Sequence, residues 1–97
     1  MTKSEEYFKR MLELHADQFA EFDKIHQLYL LNAETNQKEF NRIGADTMDI
    51  IREWENKLCS HSENSQFGKF STSLADKFWE LIRKKYSKID FVGYIKA

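Results

Sequence analysis

The segment that decides the fold is FKRMLELHADQFAEFDKIHQLYLLNAETNQKEFNRIGADTMDIIREW, residues 8–54. Within it, one set of residues recurs at alternating spacings of four and three, which is the period of a helix face rather than of a strand. The positions that keep this single heptad register are Phe8, Leu12, His15, Phe19, Phe22, His26, Tyr29, Ala33, Asn36, Phe40, Ile43, Thr47, Ile50 and Trp54. The pattern predicts an all-α protein built on long amphipathic helices.

Composition agrees with a small helical domain. The 97 residues include 41% hydrophobic and 32% charged side chains, no proline and three glycines. A chain of this length forms one domain with one core, and the absence of proline leaves long helices unbroken. Because a domain this short buries only about 60–65% of its unfolded surface, a shared interface would add to its stability.

The polar stretch after Leu31 leaves two interpretations open. Either the helix turns near residues 32–36, where Asn32 can end one helix and Asn36 with Glu39 can cap the next, or it continues without a break. A single helix over residues 4–58 would be about 80 Å long and would have to dimerise to bury its apolar face. We favour the turn, and therefore a long helical hairpin.

A third helix and an apolar C-terminal segment complete the prediction. Thr2 with Glu5 marks the first helix start, and Ser73 with Asp76 a third one. Gly44 lies inside the second helix at a cost of about 1 kcal/mol relative to alanine, which suggests a close crossing. The predicted single domain, 1–97, is a three-helix bundle with helices 4–31, 36–58 and 72–88, a loop at 59–71 and a docked tail at 89–97.

Charge is divided unevenly along the chain. Residues 1–66 carry 8 basic and 13 acidic side chains, whereas residues 67–97 carry 7 and 3. The excess of positive charge forms a basic patch on the third helix, consisting of Lys77, Arg83, Lys84, Lys85 and Lys88. Such a patch can bind nucleic acid, but attraction between the two oppositely charged segments within one fold is the simpler explanation.

The sequence contains few groups that would support catalysis. It lacks a glycine-rich phosphate loop, a nucleophile elbow and a His-Glu-x-x-His helix. Asp23 and His26 have the spacing of a metal-binding pair, but the further ligands that such a site needs are not visible, and His15 is three turns away. Cys59 and His61 carry no family signature of a nucleophile. We therefore expect no enzyme activity, no cofactor and no metal.

The cellular location is expected to be cytoplasmic. The single cysteine cannot form an internal disulfide. The N-terminal residues lack the apolar core of a signal peptide, and the longest apolar run, 28–31, is far shorter than a membrane span of about 20 residues.

The predicted function is protein–protein association. The chain has more apolar helix positions than one short third helix can cover, which predicts a homodimer formed through the long helices, or a complex with another helical protein. The predicted interface residues are Phe8, Leu12, Phe19, Phe22, Tyr29, Phe40 and Trp54. The alternative is a dimeric nucleic-acid-binding regulator that uses the basic patch.

Overall fold

The computed structural model describes residues 2–62 and 68–95, which form helices joined by short turns, with no strand among them. The elements in chain order are α1 (Lys3–Leu14), α2 (Ala16–Leu31), α3 (Ala33–Ser62), α4 (Gly68–Lys85) and a 3-10 turn (Ile89–Phe91). The all-α prediction is confirmed. The described part of the chain has four α-helices where three were predicted, because the first predicted helix is divided.

The division falls at His15, whose backbone leaves helical geometry at φ −117° and ψ 38°. The helical hydrogen bonds on either side persist, from His15 N–H to Met11 O at 3.0 Å and from Phe19 N–H to His15 O at 3.1 Å. The chain therefore bends rather than reverses. The bend directs α1 against both α3 and α4, whereas α2 packs mainly on α3.

A true turn follows at Asn32. Its backbone N–H closes α2 on Leu28 O at 2.9 Å, and its side-chain Oδ1 accepts the N–H of Thr35 at 3.1 Å. The amide of Asn36 reaches back to Leu28 O at 3.1 Å. Asn32 therefore ends one helix and caps the next, so α3 begins three residues before the predicted start and the predicted Asn36–Glu39 capping box is wrong.

The other predicted boundaries also shift. The predicted box of Thr2 and Glu5 is present at the start of α1. The predicted loop 59–71 is too long at both ends, since α3 continues to Ser62 and α4 begins at Gly68. Ser73 therefore lies inside α4 and does not cap it. The part of that loop at 63–67 lies outside the described residues.

The core lies between the α2–α3 hairpin and α4. Aromatic rings fill its centre: Phe22 packs on Phe40 at 5.4 Å and on Tyr86 at 4.9 Å between ring centroids, and Tyr29 stacks on Phe40 at 4.0 Å. The buried apolar side chains are Met11, Phe19, Phe22, Ile25, Tyr29, Phe40, Ile43, Ile51, Trp54, Leu58, Phe78, Ile82, Tyr86 and Ile89. Most of the heptad positions thus face the inside of a single chain.

Candidate functional site

The C-terminal tail, residues 88–95, is held on α3 by two side-chain amides. Gln37 Nε2 donates to the carbonyl of Phe91 at 3.0 Å. Asn41 accepts the N–H of Gly93 at 2.7 Å through Oδ1 and donates to the carbonyl of Tyr94 at 2.9 Å through Nδ2. Both amides form their hydrogen bonds with backbone atoms of the tail.

The two amides are themselves fixed by neighbours. Gln37 Nε2 also donates to Asn41 Oδ1 at 2.8 Å, and the Tyr29 hydroxyl donates to Gln37 Oε1 at 2.6 Å. Burial raises the pKa of the Tyr29 hydroxyl, so that it stays protonated as the donor at neutral pH. This chain of hydrogen bonds connects α2, α3 and the tail.

Gly44 provides the space in which the tail crosses α3. A Cβ atom on Gly44 would lie 2.7 Å from both γ-carbons of Val92, closer than non-bonded carbons approach. The close crossing suggested by the sequence is therefore present, and its partner is the tail. Only glycine allows Val92 to pack this closely on the helix.

His26, on α2, contacts the first residue of the tail and is 4% exposed. Its imidazole lies among Phe22, Phe40 and Tyr86, with ring centroids 6.0, 6.1 and 5.4 Å away. Its Nε2 accepts the backbone N–H of Lys88 at 3.2 Å, so the neutral ring carries its proton on Nδ1. Burial lowers the pKa of His26.

The Tyr86 hydroxyl is buried beside this group. Burial, followed by the nearby carboxylate of Asp23, raises the pKa of Tyr86 well above its ordinary value. Tyr86 therefore remains neutral.

Exposed apolar side chains gather where the hairpin turn meets the tail. Two shallow grooves lie there. Leu30 and Phe91 line the first groove, Phe91 and Tyr94 line the second, and Tyr29 and Ala33 line both. Next to these residues in the sequence, Leu31 is 84% exposed and Ile95 is 82% exposed. We call the surface of Leu30, Leu31, Phe91, Tyr94 and Ile95 the hairpin-end patch.

The predicted interface residues lie elsewhere. Phe19, Phe22, Tyr29, Phe40 and Trp54 are buried in the core of the single chain. Phe8 and Leu12 are partly buried and pack against that core, where the ring of Phe8 meets Phe78 edge-on at 6.4 Å. In this fold the long helices cover one another's apolar faces, and α4 covers what remains.

The basic patch is exposed but partly neutralised within the chain. Arg83 forms a bidentate ion pair with Asp90 at 2.9 and 3.2 Å, and this ion pair raises the pKa of the Arg83 guanidinium. Lys85 and Lys88 lie over the rings of Tyr86 and Phe91, 5.4 Å from each centroid. Lys77 lines a groove with Glu5 and Glu80. Lys84 is exposed in the last turn of α4.

The other predicted candidates are not brought together into a metal site. No group of three or more histidine, cysteine, aspartate or glutamate side chains able to hold a metal ion lies within residues 2–62 and 68–95. His15 instead meets the edge of Trp54, 6.2 Å away between centroids. Cys59 is in the last turns of α3, and the side chain of His61 lies outside the described part of the chain.

Comparisons with known proteins do not provide a family. No family model, curated protein or solved structure matches this chain. Among the helices that the structure describes, none is long and apolar enough to cross a membrane.

Two residues of the tail site, Gln37 and Asn41, were not recognised from the sequence. Gln37 falls in the polar stretch that favoured a turn, and Asn41 resembles any solvent-facing position of a helix. A usable signal was the spacing of Gln37, Asn41 and Gly44, which places two amides and a glycine on one helix face.

Proposed function

We propose that this protein is a small non-catalytic association domain that forms a homodimer through its hairpin-end patch. The observation that carries the proposal is the exposure of large apolar side chains at the hairpin turn and on the tail, where Leu30, Phe91 and Tyr94 line two grooves that share Tyr29 and Ala33, and where Leu31 and Ile95 are the most exposed. Contiguous apolar surface of this kind commonly marks a protein-binding site. Burying each such side chain contributes roughly 1.5–3 kcal/mol.

A second copy of the chain is the partner that this surface favours. A two-fold symmetric dimer brings the same patch of each copy together, so the patch must not repel itself. The five side chains of the hairpin-end patch are uncharged, and the charged side chains that line the same grooves, Lys88 and Glu34, are of opposite sign. The buried core residues are already used within each chain, which moves the proposed interface away from the long helices and onto this end.

The experiment compares exposed leucines at the two ends of α2 by sedimentation velocity over a range of protein concentrations. Leu31→Glu, alone and combined with Leu30→Glu, should shift the dimer to monomer and leave the monomer folded, since neither side chain is in the core. The matched control is Leu14→Glu, because Leu14 is 70% exposed but lies at the His15 bend, at the opposite end of α2.

Two results would contradict the proposal. A dimer that survives both patch substitutions would show that another surface forms the interface. Equal weakening by the Leu14 control would show that any added negative charge disrupts association, and that the patch has no special part in it.

A nucleic-acid-binding regulator is the alternative, supported by the exposed lysines in the last turn of α4. Phosphate contacts would make binding steeply dependent on salt. Lys84→Glu with Lys85→Glu should then abolish binding to a labelled duplex or single strand at low ionic strength and leave the fold intact. Absence of binding by the unmodified protein under those conditions eliminates this alternative.

A cytoplasmic location belongs to the same proposal. It is supported by the single cysteine, which excludes an internal disulfide.

A further inference from the structure

The tail is attached to α4 by the Arg83–Asp90 ion pair and to the core by the buried side chain of Ile89. Its backbone hydrogen bonds join residues of the tail to one another or to the adjacent Tyr86, as in Ile89 N–H to Tyr86 O at 3.1 Å and Val92 N–H to Ile89 O at 3.2 Å. Its attachment to α2 and α3 comes from the side chains of His26, Gln37 and Asn41. Of these three, only histidine titrates near neutral pH.

Protonation of His26 would oppose its contact with the tail directly. The neutral ring accepts the N–H of Lys88 at Nε2. A protonated ring carries hydrogen on both nitrogens, so Nε2–H would face the Lys88 N–H as one donor against another. The new positive charge would also lie in an almost fully buried position among aromatic rings, where burial of a charge is costly.

The surrounding charges do not remove this conflict. The carboxylate of Asp23, on the same helix, favours the protonated ring, whereas the ammonium of Lys88 in the tail opposes it. From the end of α4 the neighbour is the neutral Tyr86, and from α3 it is the uncharged ring of Phe40. Burial outweighs Asp23, and the net effect is a lowered pKa for His26.

We propose that the tail is a pH-sensitive strap, which docks on α3 while His26 is neutral and detaches when His26 is protonated. Detachment would expose the face of α3 formed by Gln37, Asn41 and Gly44, together with the apolar surface beneath Val92.

The lowered pKa of His26 in the docked state determines how tail detachment depends on pH. Detachment removes the N–H and the ammonium of Lys88, both of which oppose the protonated ring, so the pKa of His26 moves toward its ordinary value of about 6.5 and the ring binds a proton more readily. Acidification therefore favours the detached state. The equilibrium constant for detachment should rise up to about tenfold between about pH 7.5 and about pH 5.5, and stay constant at higher pH.

The test is residue-resolved hydrogen exchange by NMR on the full chain at several pH values. Protection is corrected for the intrinsic pH dependence of exchange. The amides that report on the tail are Lys88, bonded to His26, and Gly93, bonded to Asn41. Amides inside α3, such as that of Ile51, report on the rest of the fold.

Three variants separate the role of His26 from other causes. His26→Gln supplies an uncharged acceptor and should make tail protection independent of pH. His15→Gln, at a histidine that does not contact the tail, should keep the pH dependence of the unmodified protein. Asn41→Ala should lower tail protection at every pH while the pH dependence remains.

Three outcomes would overturn the proposal: tail protection that does not change with pH, tail amides that are no less protected than the interior of α3, or pH dependence that persists in His26→Gln. If His26→Gln does not fold, the imidazole resonances of the unmodified protein decide the matter. Tail amide shifts must then titrate with the same midpoint as the ring of His26, and a different midpoint refutes the proposal.

Discussion

For the substitution Gly44→Ala, helix propensity predicts an increase in the free energy of unfolding, whereas tertiary packing predicts a decrease. In an open position of a helix interior, alanine in place of glycine stabilises by about 1 kcal/mol. Here the new Cβ would lie 2.7 Å from both γ-carbons of Val92. Overpacking of this kind costs typically 1–3 kcal/mol. We therefore expect Gly44→Ala to destabilise the protein or to displace the tail, despite the gain in propensity.

Removing the γ-carbons of Val92 should reverse that result. After Val92→Ala the nearest side-chain atom at position 92 is its Cβ, 3.2 Å from the added methyl group. A shift of a few tenths of an ångström in the tail accommodates that contact. In the Val92→Ala background, Gly44→Ala should therefore be neutral or stabilising by up to about 1 kcal/mol. The coupling energy between the two substitutions should be about 1–3 kcal/mol.

The assay is equilibrium unfolding in urea for the four proteins of this double-mutant cycle. Ala45→Gly in both Val92 backgrounds is the matched control, because Ala45 is the exposed neighbour of Gly44 in α3 and reports helix propensity alone. If Gly44→Ala stabilises the unmodified protein by about 1 kcal/mol, with coupling to position 92 below about 0.5 kcal/mol, the tail does not pack on Gly44 as described.

Three further predictions concern the core, a cap and the pH dependence of stability. Phe22→Ala should cost about 3–5 kcal/mol in urea unfolding, because Phe22 is fully buried in the aromatic centre; a cost below about 1 kcal/mol would place Phe22 elsewhere. Thr2→Ala should lower the free energy of unfolding by about 1 kcal/mol, because it removes the α1 capping box. Thr35→Ala should cost less, because Thr35 contributes only its backbone N–H to the Asn32 cap. Because the pKa of His26 is lowered in the folded protein, its contribution to global stability is constant above about pH 6.5 and decreases as the pH falls below that value. In thermal unfolding, a His26→Gln variant should lose that part of the pH dependence, and an unchanged profile would contradict it.

The helical class was predictable because residues 8–54 keep one helical period, but that period carries no information about chain direction. Ala33 and Asn36 stay in register although the chain reverses between α2 and α3. What decides the turn is hydrogen bonding by Asn32 and Asn36 to the backbone of the two helices. The register alone therefore left a hairpin and a continuous rod equally consistent with the pattern.

The bend at His15 had no local signal, since neither glycine nor proline is present there. It arises from tertiary packing: α1 has to meet α4, which lies much later in the chain. A pattern confined to one segment does not contain that information.

The candidate site was predictable only in part. The sequence shows that Gly44 lowers the stability of its helix. The residue that packs on Gly44, Val92, is distant in the chain and is identified only by the three-dimensional structure. The surplus of apolar residues was also visible. It was assigned to the helix seam around Phe22 and Phe40, whereas the structure buries that seam and leaves Leu30 and Leu31 exposed.

The most direct test of the proposed association is the molar mass of the unmodified protein, measured by light scattering on a sizing column across a wide range of loading concentrations. The chain has a mass of 11.6 kDa. A homodimer formed through the hairpin-end patch predicts a mass approaching twice that value as the concentration rises. A mass that stays at 11.6 kDa up to the highest soluble concentration would contradict the proposed homodimer.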